Sequence, residues 1–481
     1  MDATDYDNPM NWPLHRRIYT TACSWFYAFT VAFGLTAYTA GIGDIVIQFN
    51  VSRTVAVLPF AIFLWGVSFA PIYSPHLAER FGRSIIYFIC VFLFSIFTLG
   101  VGYSQNFASI VVLRFFAGFF GGPCLVLIEG TFADIWDANQ TNTYYAFLGT
   151  ASYIGAACGP LVLGFVVQAT GWRWTQWVTL MVALASLLFG TNMSESYQRE
   201  IPRRRNRTRG LPPPEQPAAL SGVTLAEMAR TTIINPAIQL FTEPVVIMFT
   251  IYVVFLFGTV FQFFITVPIV LSTVYNFTLG SVGLAFISAI IGSLLAAGCS
   301  IAVEQIFYRR SLKTNANGMT PIELRLIPAM YGGFLMLASF FWIGWTAKPS
   351  VNWAVPVVGT GVFVWGNLSV LISLVPYIFD AYPPAGTLAA LTIGASARIL
   401  IGGLIPMLII FDFTNIGGDW ALSIFGFITI VLIPIPFILF KFGPGLRARS
   451  RFSAKSPAEE QMIMMMMEAQ RKEMAQESMQ A

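Results

Sequence analysis

The sequence predicts an all-α membrane protein in which twelve transmembrane helices form two pseudo-symmetric six-helix bundles. Three observations predict it. The 481 residues are 56% hydrophobic and only 10% charged, with 44 Phe and a mean hydropathy of +0.70, well outside the balance of a water-soluble domain. Apolar segments of about 20 residues recur along the chain, the length a helix needs to cross a bilayer, whereas barrel strands would be shorter and would alternate. A polar stretch of about fifty residues separates these segments into two groups of similar size, the organisation of a transporter built from two halves.

The segments fall at residues 18–41, 54–75, 84–103, 108–130, 143–168 and 173–192, then 244–269, 281–303, 325–346, 354–377, 386–410 and 419–441. Hydrocarbon satisfies no backbone hydrogen bond, so each must be helical. The chain divides into an N-terminus (1–17), a first bundle (18–192), a linker (193–243), a second bundle (244–441) and a tail (442–481). The linker contains IPRRRNRTRGLPPPEQP, which cannot bury an apolar core. No strong residue repeat relates the two bundles.

Charge sets the orientation, because Lys and Arg gather in short cytoplasmic loops. Of 27 Lys and Arg, only Arg53, Arg173 and Lys348 fall in outward loops, and only Arg114 and Arg398 fall inside spans. Both termini are therefore expected in the cytoplasm, and the pI near 8.8 reports contact with anionic lipid rather than nucleic acid. The five cysteines lie within spans and show no metal-ligand or disulfide spacing. No cleavable signal peptide is expected; the first span would direct insertion. Asn50-Val51-Ser52 and Asn276-Phe277-Thr278 are sequons beside the membrane, where glycosylation is not expected.

The first span carries Tyr27 and Tyr38, with Asp44 at its outer end. Residues 75–84, PHLAERFGRS, form a tight turn in which Gly82 permits the bend and Glu79 and Arg83 can pair or cap helix ends. In the fourth span Arg114 is too deep to stand alone, and Asp44 is its expected partner; Glu129 is fifteen residues on, about 22 Å along the helix. The fifth span is a packing face in which Gly155, Gly159 and Gly164 remove side chains about once per turn and Pro160 frees a carbonyl. Arg398 is close to mid-membrane without a carboxylate on the middle of any second-half helix, so it meets carbonyls or faces a cavity, where an anionic substrate group is one possible partner.

At this point the residues carry a family resemblance. NPMNWP (8–13), APIYSPHLAERFGRS (70–84), RFFAG (114–118), GTFADIW (130–136), GPLVLGF (159–165), GWRW (171–174) and SESY (194–197) occur in order in the first half. FTEP (241–244), PIELRL (321–326), WTAKPSVNWAVP (345–356), DAY (380–382), Arg398, GGDWALSIFGF (417–427) and PIPF (434–437) follow in the second. The set resembles the major facilitator superfamily, in particular its fungal twelve-helix drug:H+ antiporter branch. Several positions depart from that branch. Ala70, His76 and Ser84 stand in the loop after the second span, and Gln140 and Thr141 replace an acidic-basic pair, which implies a weakened charge network on the inward side. Phe257, Phe261, Gln262 and Gly394 imply a reshaped lining, and Leu163 stands where the branch has a further glycine.

The resemblance implies alternating access around a central site lined by the first, fourth, seventh and tenth helices. It makes Tyr27, Gln262, Trp365, Asn367 and Arg398 the expected substrate contacts, although each aromatic also suits packing. It makes Arg114 the residue whose pairing changes with protonation. Both histidines lie outside the spans, so carboxylates carry any proton: Asp44 and Glu129 in the first half, Asp380 in the second. No nucleophile with its base, metal cluster or nucleotide loop is present, so neither an enzyme nor a cofactor is expected. The expected partners are a small molecule, protons and lipid, with a monomer embedded in the cell membrane or the vacuolar membrane. Proton-driven efflux leads, and inward permeation of an organic acid or nutrient is the alternative.

Overall fold

The computed structural model describes residues 5, 7–136, 141–211, 230–314, 321–382, 394–408 and 416–448, and every regular element among them is helical. Gln140, linker residues 212–229 and the tail from 449 lie outside them. In chain order the first bundle comprises α1 (Leu14–Ala37), α2 (Arg53–Ser68, continued by Ala70–Phe81), α3 (Arg83–Tyr103), α4 (Phe107–Ile135), α5 (Thr141–Thr170) and α6 (Trp174–Gly190). The second comprises α7 (Pro244–Val274), α8 (Leu279–Ala285 and Ile287–Val303), α9 (Ile327–Thr346), α10 (Ala354–Ala381), α11 (Gly394–Leu408) and α12 (Gly418–Leu432 with Pro434–Ala448). Nine helices among the described residues are long and apolar enough to cross a membrane, and the bent α2 makes a tenth. The shorter α6 and α11 are also predominantly apolar.

Local chemistry accounts for the breaks. The two parts of α2 meet at 43°. Pro71 cannot donate to the carbonyl of Val67 one turn earlier, and the helix bends where that bond is missing. Between α1 and α2 lies a short helix, Ile42–Phe49, which Asn50 closes in the left-handed region at φ 51°. Two residues later the Ser52 hydroxyl accepts from Val55 N at 3.3 Å and opens α2. The same corner recurs between α7 and α8: Asn276 has φ 55°, and the Thr278 hydroxyl accepts from Ser281 N at 3.4 Å. Both glycosylation sequons are therefore capping corners, with Asn ending one helix and Ser or Thr starting the next.

This corner is an internal repeat that the sequence reading missed. A second repeat lies in the packing. α2 crosses α4 at Gly66 and Gly118, and α8 crosses α10 at Gly292 and Gly361; in each pair a Cβ on either glycine would strike backbone of the other helix. Small residues let the helices approach to that distance.

The glycines of α5 serve two faces. A Cβ on Gly155 would lie 2.6 Å from the Phe29 carbonyl oxygen, and one on Gly159 2.8 Å from Ala37 N, both in α1. The Thr36 hydroxyl seals that contact by donating to the Ala156 carbonyl at 2.7 Å. On the other face a Cβ on Gly164 would lie 2.5 Å from the Leu279 carbonyl oxygen of α8, and one on Gly283 of α8 2.6 Å from the Pro160 carbonyl oxygen. That face lies between the bundles. Leu163 points back into the first bundle, packed on Phe33 and Ala37.

Candidate transport cavity

Between the bundles lies a cavity of about 440 Å³. Its wall is mostly apolar. One stripe of α5 supplies Tyr145, Gly149, Ser152, Tyr153 and Ala156, and one stripe of α7 supplies Phe257, Val260, Phe261 and Phe264. Both follow the three- and four-residue spacing of a single helical face. α1 contributes Ala32 and Leu35, α10 contributes Leu371 and Phe379, and α11 contributes Ala395 and Arg398. The lining extends to Glu79, Arg83 and Tyr197, at the end of the molecule that carries most of its arginines, hereafter the basic end. Towards the opposite end the bundles touch: Phe60 meets Phe261 edge-on, and the Trp65 indole donates to the Leu400 carbonyl at 3.2 Å.

Two charges face the interior of this cavity from opposite bundles. Glu129 comes from α4 and Arg398 from α11. They interact electrostatically but form no ion pair, and Glu129 makes no hydrogen bond among the described residues. The Arg398 guanidinium lies 4.8 Å from the Phe257 ring centroid, and its Nε and Nη1 are buried without hydrogen-bond partners. Of the two alternatives for Arg398, the structure gives the cavity. Its strongest interaction with a charged side chain is with Glu129 of the first bundle, which a search of second-half helices could not find.

Arg114 is elsewhere, and its partner is not Asp44. It is 2% exposed and donates to the carbonyls of Gly34 at 2.8 Å and Leu35 at 2.9 Å, with its guanidinium against the Tyr38 and Phe63 rings. Those carbonyls belong to the last turn of α1, where intrahelical donors run out and the helix dipole is negative. The 3-10 turn Tyr38–Gly41 carries the chain away, so that Asp44 lies in a surface pocket with Gln48, Trp172 and Arg173.

The expected substrate contacts other than Arg398 do not line the cavity. Tyr27 stacks on Tyr87 inside the first bundle at 5.5 Å and packs against Gly190. Trp365 packs in an apolar cluster between α5, α8 and α10. Gln262 is fully buried with neither amide atom bonded. Asn367 sits directly behind the wall: it accepts from the Tyr153 hydroxyl at 2.5 Å across the bundles and donates to the Leu256 carbonyl at 3.0 Å. Sequence reasoning singled out Phe257 and Phe261 but missed Tyr145 and Tyr153; the α5 stripe is the signal that could have found them.

At the basic end Arg83 pairs with Asp134 at 3.0 Å rather than with Glu79. Glu195 accepts from Arg83 N, Ser84 N and the Ser84 hydroxyl, and pairs with Arg204 at 2.9 Å. A carboxylate on the first amides of α3 complements the positive end of that helix, and Gly82 reaches it at φ 85°. A charge network is thus present, built from Asp134 and Glu195 instead of the replaced pair. The second bundle repeats it: Arg325 pairs with Asp380 at 2.5 Å, and Arg447 with Glu323 at 2.6 Å.

Two bundles of membrane-length apolar helices with a cavity between them have the build of a membrane transporter. The family model of the Major Facilitator Superfamily matches residues 24–385, and the chain belongs to that superfamily. It is 32% identical over 454 residues to the MFS-type transporter traF of Penicillium crustosum, covering 94% of this chain and 92% of that one. It is 30% identical over 434 residues to the efflux pump FUBT of Fusarium oxysporum, covering 88% and 72%. In fold it is similar to the proton:xylose symporter XylE bound to 6-bromo-6-deoxy-D-glucose, with a TM-score of 0.63 at 14% identity, covering 90% of this chain and 96% of that one. Its relatives place it among fungal transporters and efflux pumps, as a multi-pass membrane protein that binds a small molecule.

Proposed function

We propose that this transporter exports a small, moderately hydrophobic molecule, such as a drug, toxin or secondary metabolite, in exchange for protons. The bundles 18–192 and 244–441 rock around the cavity in the cell membrane, with both termini and the 193–243 linker in the cytoplasm. The observation that carries this reading is the wall: aromatic and aliphatic side chains surround the Glu129 carboxylate and the Arg398 guanidinium. An apolar body fits such a wall, and few polar groups are needed to orient it.

Coupling follows from competition at Glu129. A ligand that donates a hydrogen bond or brings a positive charge to the carboxylate binds it ionised, and a proton arriving there removes that interaction. Proton and ligand then exclude one another, which is the requirement for exchange. Arg398 supports a second reading. Its unpartnered nitrogens suit an acid, and a proton on Glu129 would leave Arg398 free for an anion. Proton and anion would then move together.

Purified protein in liposomes under an imposed pH gradient separates the two. Exchange drives a candidate compound against the proton flow, and Glu129→Gln, which stands in for the protonated carboxyl, weakens its binding and abolishes that accumulation. Movement with the proton flow supports the acid reading, and a flux indifferent to the gradient removes proton coupling.

A further inference from the structure

Away from the cavity, one polar contact among the described residues joins the bundles at the basic end. Glu304 follows Val303, the last residue of α8, and opens a π-helical turn, Glu304–Tyr308. It is 1% exposed. Its Oε2 accepts a hydrogen bond from the Thr143 hydroxyl in the first turn of α5, while Oε1 is buried without a partner. Neither residue lines the cavity. Further in, Ala146 of α5 lies in one apolar cluster with Ala296 and Ala297 of α8. A hydrogen bond to a carboxylate is stronger in such surroundings than in solvent. Single π-helical turns inside α-helices concentrate at functional sites, because the wider turn re-aims the side chain it carries.

The opposite end of the same seam is also closed. There Gln168 of α5 accepts from Gly280 N of α8 at 3.1 Å, beside the Gly164 and Gly283 contacts. Alternating access opens the two ends in turn, so both polar contacts cannot persist through a cycle.

We propose that Thr143 and Glu304 form a latch between the bundles, which must release each time the α5–α8 seam parts at the basic end. The latch is independent of which molecule is carried and of how protons are coupled.

The test needs no substrate. Ser152→Cys places a thiol in the cavity wall, and a membrane-impermeant maleimide applied from the basic side reads how often that end opens. The protein without Ser152→Cys serves as the blank for the five native cysteines. Thr143→Val removes the donor at constant shape, and labelling is expected to rise on the order of ten-fold. Thr143→Ser, which keeps the hydroxyl, restores the parental rate. Glu304→Leu should match Thr143→Val, and Glu304→Gln, which keeps an acceptor, should stay near parental. This second pair decides the question if Thr143→Val does not fold. Parental labelling in a folded Thr143→Val or Glu304→Leu protein overturns the latch, as does Thr143→Ser or Glu304→Gln labelling as fast as its apolar counterpart.

Discussion

Arg114 carries a charge into the first bundle, where its hydrogen bonds end on two main-chain carbonyls rather than a carboxylate. Its first consequence is mechanical, because it ties α4 to the end of α1. Arg114→Ala leaves both carbonyls without this donor in a dry interior, at about 1–3 kcal/mol each. The unfolding temperature in detergent is expected to fall, with Arg114→Lys recovering part of the loss because an ammonium cannot span both acceptors. Unchanged stability in Arg114→Ala would show that α1 is held by other means. Arg398 behaves differently, since among the described residues its Nε and Nη1 have no hydrogen-bond partner and it lines the cavity. Arg398→Leu should leave stability unchanged or raised and weaken an acidic ligand about ten-fold or more, with little effect on a neutral one. Isothermal binding to paired acid and amide compounds checks this. The depth of both arginines was legible in the sequence because a charge in hydrocarbon is costly. Their partners were not, since carbonyl acceptors leave no residue signature and a cavity has no residues of its own.

Among the elements, α5 shows how one helix serves both stability and motion. Its Gly159 face belongs to α1 and its Gly164 face to α8, so the same substitution has different outcomes at the two positions. Gly159→Leu forces α1 and α5 apart inside a bundle, overpacking that costs about 1–3 kcal/mol and lowers the unfolding temperature. Gly164→Leu meets the Leu279 carbonyl between bundles, so stability is expected to hold while transport slows. A comparison of melting curves with transport rates distinguishes the two; equal losses of stability would mean that the seam behaves as ordinary core. The spacing of these glycines was readable as a packing face, but which glycine meets which helix depends on a rotation about the α5 axis that only tertiary contacts fix. The capping corners teach a related lesson. Asn50→Ala should destabilise by about 1 kcal/mol, because a Cβ-bearing residue without a local hydrogen-bonding group is strained in the left-handed region, whereas Asn50→Gly should be tolerated. The sequence displayed these corners as sequons, since Asn followed two residues later by Ser or Thr satisfies either purpose.

For the whole molecule, the two bundles repeat one design: a capping corner after the first helix, a glycine crossing between the second and fourth, and an arginine at the start of the third helix paired to an aspartate near the end of the fourth. The two-bundle plan was legible from segment lengths and the polar linker. The repeat was not, because it resides in backbone conformation and contact geometry rather than in shared residues. The paired aspartates give it a quantitative test. Arg83 and Asp134 retain 12% and 17% side-chain exposure, so water screens part of the charge when the pair is broken. Arg325 retains 2% and Asp380 25%, so removing Asp380 takes the carboxylate from a cation with little access to water, although its contact with the Tyr308 hydroxyl remains. Breaking a buried pair costs about 3–5 kcal/mol, and both pairs are largely buried, so the difference between them is set by how much water reaches the cation that remains. Asp380→Asn is therefore expected to lower the unfolding temperature in detergent more than Asp134→Asn does, although both remove the same charge from equivalent places. The reverse order would mean that the tie between Arg325 and Asp380 is not what holds α9 to the end of α10.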